Sequence, residues 1–100
     1  MVSMKQVSPV TVRGLAKKFS VVGDPVRLQI LCHILSAQDI CVSDVSQRLH
    51  KSVAITSHHL RCLAKEGFLK STRNGKRICY HSVASPFMSD LKKIICKYKI

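Results

Sequence analysis

Acidic residues are scarce in this chain, which carries five Asp and Glu against 17 Lys and Arg. The resulting formal charge of +12, with a pI near 10.0, exceeds what solubility alone requires. A charge this positive favours an anionic partner, with nucleic acid ahead of a membrane surface. Because the few carboxylates form no paired motif, and neither a nucleophile elbow nor a phosphate loop occurs, the sequence does not favour an enzyme.

Long apolar runs are also missing. No stretch approaches the ~18 apolar residues that a membrane helix needs, and the start MVSMKQVSPVTVRG lacks the apolar stretch of a signal peptide. The sequence therefore predicts a cytoplasmic protein with no membrane partner. Its 46% of hydrophobic residues and its length of 100 residues fit one small globular domain over residues 1–100.

No Cys-x-x-Cys motif occurs among the five cysteines, which stand at positions 32, 41, 62, 79 and 96. This spacing disfavours a structural zinc site, and we predict no metal ligands and no cofactor. In a cytoplasmic chain the thiols are expected to stay reduced, as buried small side chains, ligands or redox sensors.

Helix start signals recur along the chain. Three dipeptides combine an N-cap residue with Pro at the first helical position: Ser8-Pro9, Asp24-Pro25 and Ser85-Pro86. They predict a first helix over about 9–22, a second that begins at Pro25, and a last one over about 86–98. Ser43 is predicted to cap a third helix that continues through His50, and Ser52 is predicted to cap a fourth over 54–66.

Strand signals are short and lie in two places. The β-branched segment ICV at 40–42 predicts a minimal strand. The alternating segments FLKSTR and KRICYHSV meet at Asn74-Gly75, a strong hairpin signal. Two helices joined by a short turn form a helix-turn-helix over about 44–66, and the hairpin over about 68–83 follows as a wing. The predicted fold class is mainly α (α+β): a winged helix-turn-helix with five helices and a β-hairpin wing.

The fourth helix is predicted to contact DNA. Thr56, Leu60 and Leu63 share one face by their spacing, which fixes the core side. A recognition helix presents its N-terminal residues to base edges in the major groove, and wing cations suit phosphates or the minor groove. The predicted DNA-binding residues are Ser52, Ala54, Ser57, His58, Arg61 and Lys65 on the helix, and Arg73, Lys76 and Arg77 on the wing.

The adjacent histidines of this helix raise the question of a metal site. Neighbouring side chains point about 100° apart on a helix, so His58 and His59 are poorly placed to share a metal ion. His59 is expected to lean towards the core and to bond a backbone group.

Four segments together resemble the ArsR/SmtB family of bacterial repressors: GDPVRLQIL (23–31), ICVSDVSQRL (40–49), TSHHLRCLAKEGFL (56–69) and RNGKRICYHS (73–82). They follow the family order between about residues 19 and 82. The resemblance implies a homodimer held by the first and last helices. It also implies repression at an imperfect palindrome near a promoter, released by an inducer. Apolar faces on 9–22 and 86–98, surplus to so small a domain, agree with a dimer.

The resemblance also bears on the inducer. The family's arsenic and cadmium sensors carry Cys-Val-Cys in the third-helix segment, where this chain has Cys41 and then Ser43 in place of the second thiol. Its zinc sensors use Asp-x-His, followed by His-x-x-Glu, on the last helix. Here Asp90 is followed by Lys92 at the histidine position, and residues 93–100 contain neither His nor Glu.

Cys32 on the second helix and Cys96 on the last are similar in placement to the cysteines of BigR/SqrR-type sulfide and persulfide sensors. The resemblance implies a persulfide, sulfide or oxidant signal that joins them by a disulfide or polysulfide bridge. Three alternatives stay open. The first is a metal(loid)-responsive repressor that uses Cys41 and other thiols. The second is a DNA-binding regulator without a ligand, and the third is a basic module that binds RNA or an anionic protein.

Overall fold

The computed structural model describes residues 6–36 and 39–98. Its elements are α1 (Pro9–Val22), α2 (Pro25–Ser36), β1 (Ile40–Cys41), α3 (Val42–Leu49), α4 (Val53–Lys65), β2 (Leu69–Asn74), β3 (Arg77–Ser82) and α5 (Pro86–Tyr98). The strands form one antiparallel sheet in the order β1-β3-β2. The predicted class of five helices with a hairpin wing is confirmed, and the short strand at residue 40 joins the wing. Within the described ranges, none of the helices is long and apolar enough to cross a membrane.

The N-terminal caps form where the sequence predicts them. Ser8, Asp24 and Ser85 each accept a hydrogen bond of 3.0–3.1 Å from the backbone N–H three residues further on. A proline follows each of them at a position where the missing N–H leaves no bond unmade. The backbone N–H of Arg27 also holds the pKa of the Asp24 carboxyl below its ordinary value.

The third helix differs from the prediction at both ends. Pairing of β1 with β3 continues as far as Cys41, whose extended backbone then serves as the N-cap without a side-chain hydrogen bond. Ser43 therefore lies inside the first turn and is not the cap. At the other end His50 adopts a left-handed conformation, with φ 54°, which stops the helix at Leu49.

The core lies where α2, α3 and α4 meet the sheet. Its largest fully buried side chains are Ile30, Leu31, Ile34, Val45, Thr56, Leu60 and Leu63. The three residues predicted to face inward from the fourth helix are all among them. This burial fixes which face of α4 remains for solvent or a partner.

A glycine ends α4 and redirects the chain into the wing. Gly67 has φ +85° and donates a 3.0 Å hydrogen bond to the carbonyl of Ala64. Phe68 donates one of 2.9 Å to the carbonyl of Leu63, and the two bonds together make a Schellman motif. Both Leu63 and Phe68 are buried, so the motif also anchors the start of the wing in the core.

The turn of the wing lies one residue later than predicted. Asn74 pairs with Arg77 in the sheet, so the two-residue loop is Gly75 and Lys76 rather than Asn74 and Gly75. Gly75 has φ 65° at the first loop position, which is typical of a type II′ turn. The shift places the Lys76 side chain at the tip of the wing.

The first helix contacts the rest of the protomer mainly through its C-terminal end. Val21 and Val22 are buried, whereas residues 9–20 are exposed. The Phe19 ring meets the Phe87 ring of α5 edge to face, with centroids 5.4 Å apart. The two helices leave a set of large apolar side chains uncovered: Val10, Val12, Leu15, Phe19, Ile94 and Tyr98.

Candidate nucleic-acid interface

Helix α4 turns its polar face outward. Ser52 caps it by accepting a 3.1 Å hydrogen bond from the Ile55 N–H, and the helix begins at Val53, one residue before the predicted start. Because Thr56, Leu60 and Leu63 are buried, the opposite face meets solvent. Four of the predicted DNA-binding side chains are exposed there, Ala54, His58, Arg61 and Lys65, and Ser57 is half-buried.

A groove opens between the start of α3, the first turns of α4 and the tip of the wing. It brings Ser57 together with Lys76 and Arg77, so predicted residues from both elements line one surface. The rest of its lining consists of Cys41, Val42, Ser43, Val53 and Ile78. The arrangement presents hydroxyl and cationic groups side by side at the N-terminal end of α4, the end that a recognition helix turns to base edges.

Both arginines of the wing are positioned by contacts within the protein. Arg77 Nη2 donates to Asp44 Oδ2 at 3.1 Å, an exposed ion pair that links β3 to the first turn of α3. Arg73 Nε donates to the carbonyl of Gly75 at 3.2 Å, across the turn. Within residues 6–36 and 39–98, Lys76 has no carboxylate within 4.0 Å, so its charge is uncompensated at the wing tip.

Lys65 lies at the far end of α4 from this groove. Lys65 is eight residues beyond Ser57, which corresponds to about 12 Å along the helix axis. The His58 ring packs edge to face on that of His59, with centroids 5.7 Å apart.

His59 does not make the backbone hydrogen bond expected of it. In the described structure its Nδ1 is buried and has no hydrogen-bond partner. Burial lowers the pKa of His59, and the Asp24 carboxylate opposes that shift only in part. Burial thus favours the neutral form of the ring. No three His, Cys, Asp or Glu side chains among the described residues come together where they could hold a metal ion.

Sequence reasoning missed Asp44 and five of the residues that line this groove, among them Val53 and Ile78. Asp44 forms an ion pair with Arg77. The only sequence feature that could have indicated this residue is its position as an acidic side chain in the first turn of α3. Val53 and Ile78 line the groove with exposed fractions of 55% and 42%. Apolar side chains at such a position suit contact with thymine methyl groups.

Cys32 and Cys96 line a second groove, away from the wing. Both are free thiols; Cys32 is half-buried on α2, and Cys96 is exposed on α5. Burial raises the pKa of the Cys32 thiol, and the nearby Cys96 sulfur adds to that effect. The remaining lining comes from Leu35, Ser36, Lys92 and Ile95.

The expectation that all five cysteines stay reduced is wrong for one pair. Cys41 and Cys79 stand directly opposite each other in β1 and β3, and a disulfide joins them. They are 38 residues apart in sequence, so only the register of the sheet brings them together. Cys62 is a free, half-buried thiol.

Comparison with known proteins identifies the family. Residues 24–71 match the model described as "Bacterial regulatory protein, arsR family". An uncharacterized HTH-type transcriptional regulator of Methanocaldococcus jannaschii is 35% identical over 68 residues, which are 68% of this chain and 76% of that protein. The chain belongs to the arsR family. The cadmium resistance transcriptional regulatory protein CadC of Listeria innocua is 37% identical over 62 residues; the match spans 62% of this chain but only 52% of that regulator.

Solved structures with the same architecture superpose on most of this chain. The transcriptional repressor BigR of Xylella fastidiosa superposes with a TM-score of 0.77 at 19% identity, covering 89% of this chain and 90% of that one. The homodimeric winged helix-turn-helix DNA-binding domain Mb0332 of Mycobacterium bovis gives 0.72 at 18%, covering 97% and 85%. At these identities the likeness shows the fold, which is that of a winged helix-turn-helix.

Proposed function

We propose that this arsR-family chain is a transcriptional repressor that binds double-stranded DNA as a homodimer, at an imperfect palindrome near a promoter. The observation that carries the proposal is the groove in which Ser57 of α4 meets Lys76 and Arg77 of the wing. The +12 charge of the chain adds a long-range attraction to phosphate.

In this complex α4 lies in the major groove. Arg61 is exposed on its outer face, and a guanidinium there makes a bidentate contact to guanine or holds a phosphate. Ala54 and Ser57 lie nearer the N-terminus and contact base edges. The wing cations Arg73, Lys76 and Arg77, together with Lys65, contact phosphates and set the register of the protein on the duplex.

The dimer is proposed on the uncovered apolar surface of α1 and α5. A groove between them is lined by Leu15, Phe19, Phe87, Leu91 and Ile94, with Asp90 at its side. A second copy of the chain related by a two-fold axis buries this surface and places the two α4 helices about one DNA turn, ~34 Å, apart. Mb0332, which shares the fold, is described as homodimeric.

The proposed inducer is a thiol-reactive species that acts on Cys32 and Cys96. Because Cys96 is exposed while burial raises the pKa of Cys32, Cys96 attacks first and Cys32 resolves. With a low-molecular-weight persulfide, the Cys96 thiolate takes the outer sulfur and releases a thiol. The Cys32 sulfur then displaces hydrosulfide, so two protein thiols and one persulfide yield one disulfide, one thiol and one hydrogen sulfide. The bridge ties α2 to α5 and alters the spacing of the two α4 helices.

A metal(loid) inducer is the second candidate, because the chain is 37% identical to the cadmium resistance regulator over the matched region. Cys41 occupies the relevant segment, although its sulfur is bonded to Cys79. A metal-responsive form therefore requires that bond to be reduced. A regulator that needs no ligand is the remaining alternative.

The test is fluorescence anisotropy of the protein on DNA from upstream of its own gene, before and after a low-molecular-weight persulfide. Cys96→Ala removes the attacking thiol, and Cys62→Ala is the matched control outside the proposed pair. We expect persulfide to release wild type and Cys62→Ala, but not Cys96→Ala. Tight binding that persulfide leaves unchanged rejects the thiol signal, and a cadmium titration of the reduced protein then separates the metal-responsive form from the constitutive one.

The same assay separates DNA recognition from generic binding of polyanions. A scrambled duplex and an RNA of equal length serve as competitors over a range of salt concentrations. A specific repressor should bind its upstream duplex more tightly than either competitor at every salt concentration. Its log Kd should change by about 0.9 per phosphate contacted for each tenfold change in salt. Equal affinity for all three polyanions contradicts the repressor and favours the basic module.

A further inference from the structure

The bonded pair of cysteines is distinct from the proposed sensor thiols Cys32 and Cys96, and its Cys41 lines the groove assigned to DNA. Cys41 ends β1 and caps α3, while Cys79 lies in the middle of β3. A disulfide joins their sulfurs, and the two residues are direct partners in the register of β1 on β3. The bond therefore ties the first residue of the helix-turn-helix directly to a strand of the wing.

The backbone pairing between these two segments is short. β1 is two residues long and pairs with β3 only at Ile40–Tyr80 and Cys41–Cys79. α3 and β3 also share the hydrophobic core, to which they contribute Val45 and Tyr80. The exposed ion pair of Asp44 with Arg77 adds at most about 1 kcal/mol. The state of the two sulfurs thus affects how firmly β1 and the start of α3 are held to β3.

The two sulfurs differ in access. Cys41 lines the open groove beside Lys76 and Arg77, whereas Cys79 is 9% exposed. Cationic neighbours and a helix N-terminus are typical surroundings of a reactive cysteine. A small reagent in the groove therefore reacts with Cys41 first. Cys79 then reacts only with the group that is already attached to Cys41.

We propose that Cys41 and Cys79 form a second, reversible dithiol–disulfide site, which exchanges with low-molecular-weight disulfides and affects how firmly β1 and the start of α3 are held to β3. The Cys41 thiolate attacks one sulfur of the disulfide, forming a mixed disulfide and releasing one thiolate. The Cys79 sulfur, after loss of its proton, attacks the Cys41 sulfur and releases the second. One protein dithiol and one small disulfide thus give one protein disulfide and two small thiols, and excess thiol reverses the reaction.

The oxidised form should bind DNA more tightly. With the bond made, the wing is held over the groove that contains Ser57, so less conformational freedom is lost on binding. With the bond broken, the two-residue strand is free to detach, and Arg77 at the start of β3 is held less firmly beside α3. This consequence rests on the proposed function, whereas the exchange chemistry rests on the pairing alone. It is opposite in sign to the release proposed for Cys32 and Cys96.

The experiment uses a full-length variant in which Cys32, Cys62 and Cys96 are serine, so that only the proposed pair remains. It is equilibrated in mixtures of reduced and oxidised glutathione. Mass spectrometry after alkylation counts intramolecular bonds and glutathione adducts. The additional changes Cys41→Ala and Cys79→Val, each made singly, provide the matched controls and guard against a double variant that fails to fold.

We expect one reversible transition to a species lacking two hydrogen atoms, and binding to upstream DNA about tenfold tighter in that species, within the usual range of coupling between sites. Stable glutathione adducts on both cysteines overturn the site. Equal affinities of the two forms, with unchanged hydrogen exchange at residues 40–41 and 79–80, overturn the coupling to the wing. If neither form binds DNA specifically, the proposed function fails, and hydrogen exchange alone decides the coupling.

Discussion

Replacing Asp44 by Asn should make DNA binding tighter and more sensitive to salt. Asp44 Oδ2 accepts a 3.1 Å hydrogen bond from Arg77 Nη2, at the edge of the groove that we assign to DNA. The carboxylate therefore competes with phosphate for the guanidinium and also repels the duplex. Asn removes one negative charge and changes the shape of the side chain very little.

The magnitude follows from the number of phosphates gained. If each Arg77 of a dimer turns to one further phosphate, the slope of log Kd against log salt steepens by about 1.8. Between about 50 and 200 mM salt, the variant then loses about twelvefold more affinity than the wild type. Stability should fall by only about 1 kcal/mol, because the pair is exposed and the carboxylate lies in the first turn of α3.

The assay is a salt series of anisotropy titrations on the same duplex, with Asp39→Asn as the control. Asp39 is an exposed carboxylate that lies 3.9 Å from His81, so the control removes the same charge at a different end of the sheet. We expect the control to follow the wild-type slope closely. A folded Asp44→Asn protein with the wild-type slope would show that Arg77 gains no phosphate when the carboxylate is removed, and would refute the competition between Asp44 and the duplex.

Three further predictions concern stability and thiol reactivity. Gly67→Ala should lower the free energy of unfolding by about 1–2 kcal/mol in urea titrations, because φ is +85° at this residue while nothing crowds the added Cβ. Gly67→Asn should lower the free energy of unfolding by less, since Asn tolerates the left-handed conformation better than Ala. Equal decreases for the two variants would contradict a backbone cause. The lowered pKa of His59 gives stability that is present above the unfolded value of 6.5 and is lost as pH falls through the folded pKa. His59→Gln should flatten that loss in pH-dependent unfolding curves, and an unchanged curve would exclude His59 as its source. Because burial raises the pKa of the Cys32 thiol, iodoacetamide should modify Cys32 more slowly than Cys96 at neutral pH. The rate at Cys32 should rise as the pH approaches and passes 9.0. Equal rates at the two cysteines, measured by peptide mass mapping, would count against the burial of Cys32.

Local signals in the sequence were enough to place most of the elements. Ser8, Asp24 and Ser85 form caps through atoms only three residues away, so their effect is readable without the rest of the fold. The buried face of α4 follows from helical spacing alone. The turn was placed one residue early because Asn-Gly favours a type I′ loop, whereas pairing of Asn74 with Arg77 puts glycine first, as in type II′.

What the sequence could not supply depends on contacts between distant elements. The Cys41–Cys79 bond requires the register of β1 on β3, which no spacing within one segment encodes. The pairing of Asp44 with Arg77 likewise depends on the side of α3 along which the wing runs. The DNA-binding residues themselves were inferred from the fold class, and their contact with DNA remains a prediction.

The exposure of α1 makes the protein sensitive to its own dilution. Val21 and Val22 are its only buried residues, and an isolated helix of 14 residues is marginal in water. In the proposed dimer this helix folds as it associates, so the free energy of unfolding depends on protomer concentration. Below the dimer dissociation constant, occupancy of the palindrome falls with the square of that concentration. The number of copies of the protein in a growing cell then changes the degree of repression by itself, even when no inducer is present.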